Sequence, residues 1–355
     1  MGRSRKLPVD PEESAEIAGL RYIRDDIPGY SRIRRGKGFV YLDTRHCRLR
    51  SERDVQRIRA LAIPPAWKRV WICPDASGHL QAVGYDARGR KQYRYHPGYR
   101  TIRDQTKFDR LPQIVDGLVS ARRSIQRHLR LPGIPREKVL ATLIRLLDVT
   151  GMRIGNEESA SMNKTFGLTT LRNQHVEIKR GTLRFRFIGK SGIKHEVEVG
   201  DHRLAHIVRQ CHDLPGHHLF EYMDENHRPR AVSSGDVNSY LREVSAQPLT
   251  AKDFRTWTGT VECAVALRDI GEFDSDTDAK KHIVAAIKTA AERLGNRPAT
   301  CRAYYIHPAI PEAYLTGNLI RALKNANRGS GLLSAEEQAV LKIVKRHHED
   351  IRRAA

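Results

Sequence analysis

The residues most open to a chemical reading lie late in the chain: Leu294, Gly295, Asn296, Arg297 and Pro298, followed by Cys301, Arg302, Ala303, Tyr304, Tyr305, Ile306, His307 and Pro308. A helix stops at Gly295, and a short link leads to two consecutive tyrosines flanked by Arg302 and His307. Tyrosine usually fills a core or an interface, so the pair proves nothing alone. Other candidates are equally ambiguous one at a time. Arg153 follows a strongly apolar helix, and Arg255 lies in a helix beginning near Thr250; each reads equally as a structural ion-pair arginine. Lys190, between Gly189 and Gly192 at a tight turn joining two strand patterns, reads alone as a solvated charge. After a turn at Asp86 to Gly89, period two puts Lys91, Tyr93 and Tyr95 on one strand face. That face suits phosphate contacts and packing along a groove, and it also suits an ordinary half-buried strand.

Composition narrows the partner. The 63 Lys and Arg against 41 Asp and Glu give a formal charge of +22 and a pI near 10.1. That excess exceeds what solubility requires and points to a polyanion, with nucleic acid foremost. A 39% hydrophobic content and long periodic helices indicate a packed protein rather than a disordered basic arm. No apolar run approaches the roughly 20 residues that span a bilayer, and the N-terminal stretch lacks the apolar core of a signal peptide. A soluble, cytoplasmic protein is expected, associated with the nucleoid if bacterial. The five cysteines are scattered without a CxxC pair or a histidine at zinc spacing, so free thiols are expected, with neither a metal nor a disulfide framework.

The elements that must position these residues divide the chain. Residues 1–19 read as a flexible lead-in and 20–99 as a β-rich module, with strands over Phe39–Asp43, Val70–Pro74 and Leu80–Tyr85 and a short helix starting at Ser51. From about residue 100 to 327 helical patterns dominate. Pro135 opens a helix whose Val139, Leu140, Leu143, Ile144 and Leu147 form one buried stripe, and further helices are expected over about 201–213, 235–246, 251–268 and 276–295. Between Val176 and Val199 alternation returns, with Leu183, Phe185 and Phe187 on one face and Arg184 and Arg186 on the other, as in a small antiparallel sheet. Residues 328–355 read as a linker at Arg328 to Gly331 and a last helix capped by Ser334 and Glu337, its apolar face made by Val340, Ile343, Val344 and Ile351. The fold class is α+β: a small β-rich N-terminal domain and a larger, mainly helical one with an inserted sheet.

Taken together and in order, these positions give the chain a resemblance to the compact type IB DNA topoisomerases of poxviruses and bacteria. The likeness covers most of the chain, from Ile63, Pro64, Pro65, Ala66 and Trp67 and the Gly89 to His96 strand through Arg153, Lys190, Arg255 and Asn296 to Tyr305. It implies a clamp around double-stranded DNA and ATP-independent, metal-independent relaxation of supercoils by a monomer, with no cofactor called for. By resemblance Tyr305 is the nucleophile that forms a 3′-phosphotyrosyl intermediate, Arg153, Arg255 and Asn296 serve the nonbridging oxygens, and Lys190 is a general acid. Lys91, Tyr93 and Tyr95 become DNA contacts. Tyr304 is the rival nucleophile; Tyr305 is preferred because it lies nine residues after Asn296, as in the family pattern. The chemistry is coherent, since attack on a phosphodiester builds charge that fixed guanidiniums answer better than flexible ammonium groups. Neither a P-loop nor a carboxylate cluster is evident. Tyrosine recombinases use a similar constellation, but their second arginine usually follows a histidine by three residues, and here that position is Lys252. A noncatalytic nucleic-acid-binding protein would explain the charge equally well.

Overall fold

Alternating and continuous apolar runs before residue 97 assemble into a five-stranded antiparallel sheet, seen in a computed structural model that describes residues 11–36, 38–87, 89–105, 108–226, 228–326, 329 and 331–354. The strands are β1 (Tyr30–Arg35), β2 (Gly38–Leu42), β3 (Lys68–Ile72), β4 (Leu80–Tyr85) and β5 (Lys91–Tyr95), in the order β2-β1-β3-β4-β5. They belong to the first of two compact units, Met1–Arg110 and Leu111–Ala355. The first unit has a small core of Ile58, Ile63, Val70, Ile72 and Ala82. Ser51 caps the helix Glu52–Ala60 by accepting from the Asp54 amide at 3.3 Å, and Ile58 is that helix's buried anchor. Arg32 of β1 donates to the carbonyls of Ile63, Pro64 and Trp67 at 2.9 to 3.0 Å, so a charged strand residue fixes the Ile63 to Trp67 segment. Residues 11–17, within the expected lead-in, form the helix Pro11–Ile17 with Ala15 buried; residues 1–10 lie outside the described residues, as do Arg88 in the turn before β5 and Arg328 and Ser330 in the expected linker.

The second unit is built around the helix Ala251–Ile270, whose Phe254, Arg255, Trp257, Thr260, Cys263, Ala264 and Leu267 are all buried. Small residues let its neighbour Asp276–Arg293 pack closely: Ala279, Ala286, Ala290 and Ala291 are fully covered. The apolar stripe on Arg136–Thr150 appears where expected. The inserted sheet is β6 (Val176–Lys179), β7 (Thr182–Ile188) and β8 (Lys194–Gly200), antiparallel in that order, with Leu183, Phe185 and Phe187 turned to the core. A short hairpin, β9 (Glu221–Met223) and β10 (Pro229–Ala231), was not legible in the sequence, nor was β1, whose composition is dominated by arginine. All five cysteines are free. Among the described residues no helix is long and apolar enough to cross a membrane.

One ionic cluster joins four helices of this unit. Arg122, on Leu111–His128, makes a two-pronged pair with Asp148 at 2.8 and 2.9 Å and another with Glu337 at 2.8 and 2.9 Å, and the Trp257 indole donates to Glu337 at 2.7 Å. Glu337 also completes the cap with Ser334 that starts Ala335–Ala354. That last helix therefore belongs to the core: Val340 and Val344 are fully buried, whereas Ile351, expected on the same face, is 53% exposed because the helix outruns the surface it packs on. Removing the shared cation leaves two covered carboxylates facing each other, which is far costlier than losing a surface pair. Arg122→Met is expected to lower unfolding stability by about 3–5 kcal/mol in guanidinium titrations at neutral pH. A loss under about 1 kcal/mol would show the cluster to be incidental.

Candidate active site

Two helices end at the same place. Arg136–Thr150 stops at Gly151, which takes the left-handed conformation (φ 66°), and Asp276–Arg293 stops at Leu294, followed by Gly295 at φ 57°. Glycine is suited to both turns because it carries no Cβ to strain them. The carbonyls left over at such ends carry the negative pole of the helix. Arg153 and Arg255 occupy them. Arg153 donates to the Gly295 carbonyl at 2.9 Å and to Asn296 Oδ1, and Arg255 donates to the Leu294 carbonyl at 2.9 Å and to that of Gly151. Burial pushes both guanidiniums below their ordinary pKa range, and for Arg255 the charge of Arg153 adds to the effect. Guanidinium is basic enough to stay charged regardless.

Tyr305 ends the helix Pro298–Tyr305, and its ring centroid lies 5.2 Å from the Arg255 guanidinium carbon. Thr260, one turn along the helix from Arg255, donates to the Tyr305 carbonyl at 3.2 Å and accepts from the His307 amide at 3.1 Å. The segment is thus fastened to the helix that carries Arg255. Tyr304 is 41% exposed on the outer side, while Tyr305 is half-buried against the core. Asn296, 9% exposed, receives Arg153 on its oxygen, but its Nδ2 is buried with no hydrogen-bond partner among the described residues. The same is true of Arg255 Nε.

The structure brings together Arg153, Arg255, Asn296 and Tyr305. Lys190 is exposed in the one-turn link Lys190–Gly192 between β7 and β8. In the first unit Lys91, Tyr93 and Tyr95 share the exposed face of β5. Lys91 pairs with Asp25 at 2.6 Å and lies over the Tyr93 ring, and Tyr93 stacks on Tyr95 with centroids 6.0 Å apart. Tyr95 continues into a ring cluster with Tyr99 and buried His79, itself stacked on Tyr22 at 4.5 Å. Sequence reasoning missed Tyr22, His79 and Tyr99, which are remote from β5 or lie beyond its end. It also missed His195, a polar residue at an inward position of β8 next to Val197 and Val199.

Residues 96–315 match the catalytic core of eukaryotic DNA topoisomerase I, and residues 38–86 match the N-terminal domain of bacterial DNA topoisomerase IB. DNA topoisomerase 1B of Acanthamoeba polyphaga mimivirus is 30% identical over 295 residues, covering 81% of this chain and 87% of that protein. DNA topoisomerase 1B of vaccinia virus (strain Copenhagen) is 23% identical over 266 residues, covering 72% of this chain and 78% of its own. The catalytic-core match takes in most of the helical unit with its inserted sheet, and the N-terminal match falls within the β-rich unit before it, so both point to a DNA topoisomerase. The chain belongs to the type IB DNA topoisomerase family.

Two residues after Tyr305, buried His307 accepts from the Ala309 amide on Nδ1 at 3.1 Å, so its proton sits on Nε2, 3.1 Å from Nε2 of His348. Burial, with His348 and His347 adding, pushes its pKa down to about 3. The unfolded chain takes up this proton near the ordinary value of about 6.5, so between that pH and 3 the unfolded state binds more protons. Stability should fall on acidification through that window, by up to about 1.4 kcal/mol per pH unit from this group. Melting curves of wild type and His307→Asn from pH 7.5 to 5 should show the shallower dependence in the variant; parallel curves would exclude His307 as the source.

Proposed function

We propose that this topoisomerase relaxes DNA without ATP through Tyr305, with Arg153, Arg255 and Asn296 stabilising the phosphoryl centre and Lys190 supplying a proton. The observation that carries the reading is the pair of buried donors without partners among the described residues, Arg255 Nε, whose guanidinium lies over Tyr305, and Asn296 Nδ2, whose amide holds Arg153. Folded proteins rarely leave such groups unsatisfied, and the exceptions call for an explanation such as a catalytic role. A phosphate's nonbridging oxygens are a chemical match for both. The Tyr305 oxygen, its own proton released to solvent, forms a bond to the phosphorus of the 3′ side as the bond from phosphorus to the 5′ oxygen breaks, and Lys190 delivers its proton to that oxygen. The phosphotyrosyl ester conserves the bond energy, and the reverse attack by the 5′ hydroxyl restores the strand. Between the two steps the cut strand rotates.

The two units are proposed to take opposite faces of the duplex as a clamp, with Lys91, Tyr93 and Tyr95 contacting DNA, and the protein is proposed to work as a monomer in the cytoplasm. The Lys91 pair with Asp25 bears on that role, because a phosphate must displace a carboxylate to reach the ammonium.

Tyr305→Phe should abolish both relaxation and the covalent protein–DNA adduct on a denaturing gel while DNA binding is retained, and Tyr304→Phe should remain active. The opposite pattern would move the nucleophile by one residue. Losing a general acid slows cleavage by about 10²- to 10⁴-fold. With sulfur at the 5′ bridging position the leaving thiolate needs no proton, so Lys190→Ala should cleave that substrate nearly as fast as wild type. Arg255→Ala should remain slow on both substrates, because charge on the nonbridging oxygens is unaffected by the leaving group. Failure of sulfur to rescue Lys190→Ala would remove the lysine from the acid's role.

A further inference from the structure

The turn carrying Lys190 is exposed and short, yet a proton donor must be held to within about an ångström, since a misplacement of that size costs about 10²-fold in rate. His195 is the residue that ties this turn to the arginine pocket. It faces Phe187 directly across β7 and β8, and the two rings stack with centroids 4.8 Å apart and planes 5° from parallel. A Cβ placed on Gly189, the residue before Lys190, would lie 2.6 Å from His195 Cδ2 and Nε2. A Cβ placed on Gly295 would lie 2.2 Å from His195 Cε1 and 2.8 Å from Nε2. The imidazole is therefore lodged against two bare stretches of backbone, one leading into Lys190 and the other supplying the carbonyl that Arg153 holds and leading into Asn296. Burial, with the neighbouring charges of Arg153 and Arg255 adding to it, lowers the pKa of the ring.

We infer that His195 is a positioning residue of the cleavage reaction: its flat ring docks the Lys190 turn onto the Gly295 loop and so sets where the proton donor stands. This rests on the reading of Lys190 as the acid. Geometry explains the residue type, because the slot between two glycines admits a planar ring that can stack on Phe187, and an aliphatic side chain would leave that stack unmade. Gly189 has an extended backbone (φ −92°, ψ −170°) that alanine adopts without strain, so a methyl there acts only through the contact with His195.

The test uses the full-length enzyme in single-turnover cleavage of matched duplexes with oxygen or sulfur at the 5′ bridging position. His195→Ala should cleave the oxygen substrate about 10²-fold more slowly and recover to within a few-fold of wild type on the sulfur substrate. His195→Phe, which retains a flat ring, should recover most of the activity lost in His195→Ala. Gly189→Ala should be slow, but no slower in combination with His195→Ala than His195→Ala alone. Equal slowing of His195→Ala on both substrates, or no slowing on either, overturns the inference. Lys190→Ala in parallel separates the two ideas: if sulfur rescues Lys190→Ala but not His195→Ala, the docking role fails while the acid stands. Hydrogen exchange supplies a readout independent of the acid. The turn amides of Gly189, bonded to the Ile193 carbonyl at 2.8 Å, and Gly192, bonded to that of Gly189 at 3.1 Å, should exchange faster in His195→Ala, and unchanged exchange overturns the docking role even if Lys190 proves not to be the acid.

Discussion

Two like charges held side by side out of water are the constraint on which the second unit depends. Arg153 and Arg255 repel one another and both lose hydration, a cost that must be met where they sit. Among the described residues the compensation comes from the carbonyls of Gly151, Leu294 and Gly295, at the C-terminal ends of two helices, together with the Asn296 amide oxygen. Helix ends offer unpaired oxygens and the negative end of a dipole at once. A carboxylate would neutralise the arginines too, but it would also repel the phosphate they are proposed to serve. Carbonyl ligands leave the cationic character available.

Holding two helix ends together requires the helices themselves to be fixed. The Arg122 cluster does so from the opposite direction, joining the helix that ends at Thr150, through Asp148, to Trp257, two residues from Arg255. Glu337 brings the last helix into the same cluster. Thr260 then fastens the Tyr305 segment to the helix bearing Arg255. Arginines, amide and phenol thus come from four separate stretches of chain but share a common frame.

The sequence was most legible where one interaction sets a local pattern. The stripe on Arg136–Thr150, the alternation of Leu183, Phe185 and Phe187, and the Ser334–Glu337 cap each follow from neighbours a few residues apart, and each appears in the structure. β1 was missed because its arginines hide alternation, and Arg32 spends its charge on three distant carbonyls that no local pattern announces. At the site, residue types and order pointed to Arg153, Arg255, Asn296 and Tyr305, but not to what holds them, since main-chain carbonyls leave no trace in side-chain spacing. His195 escaped for a related reason. Apart from Phe187, its partners are two glycines, which read from sequence only as turns.

The use of main-chain oxygens has a bearing on how such a site can change over generations. A carbonyl is present whatever side chain its residue bears, so substitutions along the supporting loops cannot delete these ligands outright; they act only by bending the path of the chain. The site is therefore insulated from much drift in the identity of its surroundings and vulnerable instead to insertions, deletions and any side chain that closes the left-handed turns at Gly151 and Gly295. Selection on such a scaffold acts on the course of the backbone more than on the letters that spell it.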